Sequence, residues 1–397
     1  MYSLNSLPVL LLALVNTARC YSVVREYSGQ NFFDGWDFYG SWDNLTNGDI
    51  WWLNSSQAYS QQLAYVTTAG NAVIKVDNTS NVPFNEKRNT VRVTTHDSYA
   101  LGSLWIVDVH HLPYGCSVWP AFWSKGVEWP QGGEIDIIEA VNVMQENQMA
   151  LHTNFSCSHT TPPTGQQLGI SGTGQNGPDC STGPGCTVLE TKNNSYGPGF
   201  NTNGGGVWAT QFDLAGVFIW YWSRGNIPAS ITGATSTSDI DLSDWGVPSA
   251  SYPNTTCNMT ENFQNQQLVM DITLCGDWAG IGVVYNATCG SSGPTGLCYN
   301  DNVVGPGSPR YDEAYFEVSY VRAYTTGTPS PTTLPFASGN GASAATTTGA
   351  TGDPSVSPAV VTNKGFGRRE MGNQGLALDL LMWTVLVGVL TGVAVTL

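Results

Sequence analysis

Short apolar runs with alternating polar positions recur along the chain from Tyr21 to about Thr325, and clusters of Gly, Pro, Asn and Ser separate them. The clearest runs are NAVIKVD, NTVRVTT, GSLWIVDVHHL, QMALHTNF, GVFIWYWSRG, QQLVMDITLCG and AYFEVSYVRAY. A period of two residues is typical of half-buried β-strands, and no long stretch has the 3.6-residue period of an amphipathic helix. The pattern therefore predicts an all-β domain over residues 21–325, built as an antiparallel sandwich or barrel.

The pattern changes abruptly after Tyr324. Residues 326–375 are rich in Ser, Thr, Pro, Gly and Ala, which cannot form a core, so we expect an O-glycosylated stalk there. Residues 376–397 include 18 consecutive uncharged residues, LLMWTVLVGVLTGVAVTL, long enough to span a bilayer. Because nothing follows them and Arg368 and Arg369 precede them, a cleaved glycosylphosphatidylinositol (GPI) attachment signal is favoured over a permanent membrane span. The attachment residue stays open.

Residues 1–20 predict a secretory signal peptide, because a short apolar run leads to Ala18 and Cys20 at the spacing of a cleavage site before Tyr21. Cleavage leaves eight of the nine cysteines, an even number that predicts disulfides without fixing their pairing; a zinc site is the weaker alternative, because no CxxC pair occurs. Eight N-glycosylation sequences fit the same route: Asn44, Asn54, Asn78, Asn154, Asn193, Asn254, Asn258 and Asn286. We expect a secreted glycoprotein, held at the plasma membrane or cell wall by a lipid anchor.

Charged residues make up only 11% of the chain, and the net charge of −16 reflects a scarcity of Lys and Arg. A protein without a basic face is a poor partner for nucleic acid, whose phosphates need one. The composition instead suits a neutral substrate.

The segment GGEIDIIEA, residues 132–140, begins as an alternating strand in which Glu134 and Asp136 share one side. Ile138 breaks the alternation, so a regular strand would turn Glu139 into the apolar layer, where an unpaired carboxylate is costly. A β-bulge formed by Ile137 and Ile138 would return Glu139 to the face of the other two carboxylates. The alternative is an ordinary strand with a solvated acidic face, but like charges on one face destabilise a strand. We therefore favour a functional cluster.

Two glutamates flanking an aspartate supply the groups for retaining glycoside hydrolysis, in which one carboxylate attacks the sugar and the other protonates the leaving oxygen. Four pleat steps separate the Cα atoms of Glu134 and Glu139 by about 13 Å, so their side chains have to lean together over a concave sheet. Asp136 between them would help to keep one glutamate ionised and the other protonated.

Flat aromatic rings near this strand would suit packing on sugar rings. Trp119, Trp123 and Trp129 lie just upstream in CSVWPAFWSKGVEWPQ, and Trp278 lies in LCGDWAG. Core packing is the alternative for any single tryptophan, although Trp129 is expected at the rim of a cleft. His152 in ALHTNF is predicted on the neighbouring strand, bonded to the acidic cluster; an ordinary buried histidine is the alternative.

These motifs resemble glycoside hydrolase family 16, in its laminarinase-type branch with a bulged E-x-D-x-x-E strand. The resemblance rests on GGEIDIIEAVN preceded by WPAFW, and on YSGQNFFDGWDFYGSWDNLTNGDIWW, TLCGDWAG and FEVSYVRAYT, so that it covers most of residues 21–325. It implies a β-jelly-roll sandwich of two antiparallel sheets with a concave substrate groove, and retaining endo-hydrolysis of β-1,3- or mixed β-1,3/1,4-glucan. It implies Glu134 as nucleophile, Asp136 as electrostatic helper and Glu139 as acid/base. The implied substrate-binding residues are Trp119, Trp123, Trp129, His152 and Trp278.

Two other functions stay open at this point. A transglycosylase would pass the same covalent intermediate to a sugar acceptor, and a surface lectin would bind glucan without turnover, although a lectin has no need of three carboxylates. No metal or cofactor is expected in catalysis, because the five histidines form no ligand pattern, whereas a structural calcium ion stays open. The expected partner is a β-glucan, and the protein is expected to be a monomer.

Overall fold

The computed structural model describes residues 20–172 and 179–327 and the backbone of Thr332–Thr333. The predicted signal peptide except Cys20, almost all of the predicted stalk, and the whole C-terminal apolar segment lie outside the described residues. Among the described residues, no helix is long and apolar enough to cross a membrane.

Strands dominate the described chain. In order they are β1 Ser22–Ser28, β2 Trp36–Phe38, β3 Ile50–Trp52, β4 Ala64–Val66, β5 Ala72–Lys75, β6 Asn81–Val82, β7 Arg88–Thr90, β8 Arg92–Thr95, β9 Asp97–Ser98, β10 Ser103–His111, β11 Val118–Lys125, β12 Glu134–Glu139, β13 Gln148–His152, β14 Ile170–Ser171, β15 Cys186–Leu189, β16 Gly206–Asp213, β17 Gly216–Ser223, β18 Ala250–Pro253, β19 Gln267–Leu274, β20 Gly305–Pro306, β21 Tyr315–Thr325 and β22 Thr332–Thr333. All seven apolar runs singled out in the sequence form strands.

Two antiparallel sheets contain most of these strands. The first sheet has the order β18-β17-β16-β10-β21-β5-β4, with β1 also paired to β21, and the second has the order β14-β15-β13-β12-β11-β19-β8-β2. One large apolar core takes side chains from both sheets, including Trp105 and Phe316 of the first and Phe122 and Ile272 of the second. The predicted all-β jelly-roll sandwich is confirmed.

A smaller apolar cluster covers the outer face of the first sheet. Leu104 and Val207 project from that face and pack with Ile240 and Trp245 of the segment that follows β17. Tyr21 joins the cluster and exchanges backbone hydrogen bonds with Ile240 in both directions, at 2.8 and 2.9 Å. This cluster is separate from the core between the two sheets.

The described helices have no more than eight residues and lie in the connections between strands. They are α1 Ser55–Ser60, α2 Gly197–Thr202, α3 Ala229–Thr232, α4 Met259–Asn262, α5 Gly276–Ala279 and α6 Gly282–Cys289, with 3-10 turns at Gly29–Gly35 and Arg224–Asn226 and a π turn at Tyr299–Val303. Segments this short show too little of the 3.6-residue period to be recognised in the sequence. Local capping supports α1, where the side chains and backbones of Asn54 and Gln57 form a reciprocal capping box.

Four disulfides pair the eight cysteines that follow the predicted signal peptide, which confirms the expectation of disulfides. The pairs are Cys116–Cys289, Cys157–Cys257, Cys180–Cys186 and Cys275–Cys298. Cys20 is exposed and has no disulfide partner. Two of the pairs fix the segment 275–298, which contains α5 and α6, to the end of the second sheet.

Candidate active site

The acidic strand β12 lies in the middle of the second sheet, between β11 and β13. Asp136 pairs with Trp123 on β11, and Glu139 pairs with Ala121, two residues away on the same strand. Paired residues share a face, as do residues separated by two along a strand. Asp136 and Glu139 therefore project on one side, and Glu134, paired with Lys125, joins them. We call this outer side of the second sheet the groove face.

A β-bulge produces this arrangement, as the sequence predicts. Ile138 pairs with Phe122 while Asp136 pairs with the next residue, Trp123, so Ile137 has no partner of its own on β11. Ile135, Ile137 and Ile138 are all buried in the core between the sheets. Without the extra residue, Glu139 would occupy a core position.

The side chain of Asn147 holds the bulge from the neighbouring turn. Its amide Nδ2 donates to the carbonyl of Ile137 at 2.9 Å, and its Oδ1 accepts from the backbone N–H of Glu139 at 2.9 Å. Asn147 is fully buried, and its own N–H donates to Ser195 Oγ at 3.0 Å. The side chain thus satisfies the two backbone groups that the bulge removes from the regular ladder.

Each glutamate accepts a hydrogen bond from a tryptophan predicted to lie in the groove. Trp119 Nε1 donates to Glu139 Oε1 at 2.8 Å, and Trp129 Nε1 donates to Glu134 Oε2. Trp129 is 39% exposed, in keeping with a position at the rim rather than in the core. These hydrogen bonds help to orient both carboxylates.

Two cationic side chains border the acidic cluster. His152 lies opposite Glu134 on β13, and its Nε2 is 3.3 Å from Asp136 Oδ2. Lys125 lies opposite Glu134 on β11. The crowding of like charges that the sequence suggests is therefore relieved from both neighbouring strands.

Both glutamates hold protons more strongly than free side chains do. Burial raises the pKa of Glu134 above its ordinary value and the charge of Asp136 adds to this effect, while His152 opposes it. Burial and Asp136 likewise raise the pKa of Glu139. Burial would lower the pKa of His152, but contact with Asp136 and the charges of both glutamates outweigh burial and raise that pKa to about 9. His152 is thus a cation at neutral pH.

Trp123 lies on the groove face but is less open than the sequence suggests. Its ring is 6% exposed and packs with Ala121, Val269 and Leu45. Its Nε1 donates to Asp271 Oδ2 at 3.0 Å. The ring therefore forms part of the floor, and its contact with substrate stays a prediction.

Trp278 lies beside Trp119 at one end of the groove face. The two rings meet edge to face, with centroids 5.5 Å apart. Trp278 belongs to α5, which the disulfide from Cys275 to Cys298 ties down. The structure therefore brings all five predicted groove residues to the same side of the second sheet as the three carboxylates or to its edge.

Sequence reasoning missed several residues of this site. Asn147, Lys125 and Asp271 carry no local pattern that marks them, because their positions follow from the register between strands. Arg92 on β8 was also missed; its guanidinium lies 4.8 Å from the centre of the Tyr39 ring, and its Nε lies 4.0 Å from Asp271 Oδ2. Burial raises the pKa of Asp271 to about 7 against the opposing effect of Arg92.

Among the described residues, one group of three acidic or histidine side chains is close enough to hold a metal ion, namely Glu134, Asp136 and His152. A metal at Nε2 would have to displace a proton from His152, and the raised pKa of His152 makes that loss less favourable.

Comparison with known proteins identifies the family. The sequence model of the XgeA-like, catalytic GH16 domain matches residues 36–324. A probable endo-1,3(4)-β-glucanase of Aspergillus niger is 35% identical over 334 residues, which is 82% of this chain and 43% of that protein. The chain thus spans less than half the length of this relative.

Two solved structures have similar folds over the whole of their own chains. Laminarinase 16A of Phanerochaete chrysosporium, with the β-glucan 6-O-glucosyl-laminaritriose in both donor and acceptor sites, is 31% identical with a TM-score of 0.70, covering 77% of this chain and 100% of its own. An elongating family 16 β-1,3-glucosyltransferase is 34% identical with a TM-score of 0.69, at the same coverage. The chain belongs to glycoside hydrolase family 16, among its XgeA-like catalytic domains.

Proposed function

We propose that the protein is a retaining endo-glycosidase that hydrolyses β-1,3- or mixed β-1,3/1,4-glucan by double displacement. The observation that carries this proposal is the bulged strand β12, which brings Glu134, Asp136 and Glu139 to one face between two strands bearing cations and indoles. Two carboxylates on one face are the minimum that retaining hydrolysis requires.

Glu134 is the proposed nucleophile. It lies between Lys125 on one neighbouring strand and His152 on the other, so it is the glutamate with cations on both sides. The charge of His152 opposes the effect of burial on the pKa of Glu134 and so favours the ionised form that attack requires. Its carboxylate attacks the anomeric carbon, a C–O bond to the enzyme forms, and the bond to the leaving oxygen breaks.

Glu139 is the proposed acid/base. Burial and the charge of Asp136 raise its pKa, which favours the protonated carboxyl group, and that proton passes to the leaving oxygen in the first step. In the second step the same carboxylate takes a proton from water, which attacks the anomeric carbon and releases Glu134. Asp136 and His152 form an ion pair between the two glutamates. This pair orients Glu134 and Glu139 and spreads the charge that develops during the reaction.

The site assignment is tested by measuring sugar release from laminarin with Glu134→Gln and Glu139→Gln beside the wild type. Removal of the acid/base should cost about 10² to 10⁴-fold in rate, and removal of the nucleophile should abolish turnover. Glu146→Gln is the matched control, because Glu146 is exposed in the β12–β13 connection. Equal activity of all four proteins would defeat the assignment.

Transglycosylation is the second candidate, favoured by the likeness to the elongating β-1,3-glucosyltransferase. It differs only in the last step, where a sugar hydroxyl replaces water. A labelled oligosaccharide acceptor distinguishes the two activities: products longer than the donor identify transfer, and shortened products alone identify hydrolysis.

The protein is further proposed to act at the cell surface, as a monomer held by a lipid anchor. Four disulfides, the N-terminal leader pattern and the C-terminal apolar segment support this location. Seven of the eight candidate glycosylation asparagines are exposed, and Asn78 is half-buried. Phosphatidylinositol-specific phospholipase should release the protein from membranes; retention of both the protein and its C-terminal peptide would contradict a GPI anchor.

A further inference from the structure

Two tryptophans that sequence reasoning left unassigned lie side by side on the surface. Trp42 is 52% exposed and Trp51 is 44% exposed. They are partners in an isolated antiparallel bridge, next to a hydrogen bond from Trp52 N–H to Ser41 O at 2.9 Å. This is the close kind of antiparallel pair, in which both side chains project from one face. We call them the Trp42–Trp51 pair.

The core does not require the exposed rings of this pair. Ile50 and Trp52, the residues on either side of Trp51, are 0% and 4% exposed and supply the contacts that bury β3. In the described part of the chain, neither Trp42 nor Trp51 packs ring to ring with another aromatic side chain. Two large apolar surfaces thus face solvent at adjacent positions, which points to a ligand.

The loop between the paired tryptophans is seated on the groove face. Asp43, the residue after Trp42, is 2% exposed and accepts a hydrogen bond from Thr273 Oγ1 at 2.8 Å. Thr273 lies directly opposite Trp119 in the β11–β19 ladder. Leu45 packs on the floor formed by Ala121 and Trp123. The pair is therefore continuous with the groove through one short, well-anchored loop.

We propose that the Trp42–Trp51 pair is an accessory binding platform for the same β-glucan chain that the groove cleaves. Adjacent indole faces suit the apolar faces of successive glucose rings, and a neutral polymer needs no charge at the platform. The inference rests on the proposed function for its ligand. A long glucan chain would bind the groove and the platform at the same time, whereas a short oligosaccharide would occupy the groove alone. The platform should therefore raise the affinity for polymer and leave the affinity for short oligosaccharides unchanged.

The experiment compares the double variant Trp42→Ala/Trp51→Ala with Tyr65→Ala. Tyr65 is 40% exposed and lies on β4, the edge strand of the other sheet, so it controls for loss of an exposed aromatic ring. Depletion from solution by insoluble β-1,3-glucan is measured in a Glu134→Gln background, where the polymer stays intact. Hydrolysis of a short laminari-oligosaccharide is measured with Glu134 present.

We expect the double variant to need about tenfold more polymer for half-maximal depletion, with no change for Tyr65→Ala and an unchanged rate on the short oligosaccharide. Polymer binding equal to that of the parent would overturn the platform. So would loss of the short-oligosaccharide rate together with a lower melting temperature, because the pair would then be structural. A dimer in sedimentation that the double variant dissociates would assign the surface to a second copy instead. Polymer binding by a wild type that releases no sugar would defeat the proposed hydrolysis while leaving the platform intact.

Discussion

At the scale of single residues, the site consists of three carboxylates and the side chains that donate hydrogen bonds to them or offset their charge. His152 affects all three carboxylates, because it contacts Asp136 and its charge lowers the pKa of both glutamates. Its own raised pKa means that this cation is present throughout the neutral range. The pH dependence of the enzyme should therefore depend on a residue that never touches the reacting carbon in the proposed mechanism.

His152→Gln should move the pH profile of kcat/KM upward by about one unit on both sides. Without the cation, Glu134 ionises at a higher pH and Glu139 keeps its proton to a higher pH. The profile is measured with a soluble β-glucan. A profile that falls in height without moving would show that His152 acts only through substrate contact.

The same variant should change the pH dependence of stability. The pKa of His152 is higher in the folded protein than the ordinary value of 6.5, so its contribution is fully present below pH 6.5 and is lost as the pH rises through about 9. The difference in melting temperature between wild type and His152→Gln should shrink over that interval. A constant difference would contradict the raised pKa.

At the scale of the element, the sequence predicts the bulge in β12 but not the Asn147 side chain that stabilises it. A broken alternation in EIDIIE is visible in the sequence, because Glu139 would otherwise be buried among isoleucines. Asn147 satisfies the bulge from a different segment, and the local pattern QENQMALH gives no sign of that contact. Lys125 could not be predicted for the same reason: strand register decides that it faces Glu134.

Asn147→Ala should lower kcat by about tenfold or more and the free energy of unfolding by about 1–3 kcal/mol, because two buried backbone groups lose their partner. Activity on β-glucan and urea unfolding measure the two effects. Gln145→Ala in the same turn is the control, since Gln145 is exposed. Unchanged activity in a folded Asn147→Ala protein would mean that the core alone holds Glu139 in place.

At the scale of the whole molecule, the sequence predicts the layered β architecture, because period-two runs identify strands that need a second layer. It predicts neither the order of strands within the sheets nor the disulfide pairs, since both depend on contacts between distant segments. The disulfide Cys275–Cys298 is an example of such a contact. It joins the end of β19 to the segment beyond α6 and so fixes α5, which carries Trp278.

Replacing both Cys275 and Cys298 with Ser should lower the free energy of unfolding by about 3 kcal/mol, as expected for a loop of this length. It should also raise KM for the polymer, because the disulfide no longer fixes the position of α5, which carries Trp278. Chemical unfolding and initial rates test the two effects. Trp278→Ala with the disulfide intact should reproduce the change in KM with a much smaller loss of stability.

The indole-to-carboxylate hydrogen bonds of Trp119 and Trp129 also allow the site to be followed by tryptophan fluorescence. The emission of an indole responds to the charge beside its N–H group, so each glutamate has a built-in optical reporter. Titration of the cluster, filling of the groove and formation of the glycosyl-enzyme should each alter the spectrum. Stopped-flow recording of that signal would time the two proposed displacement steps without a labelled substrate.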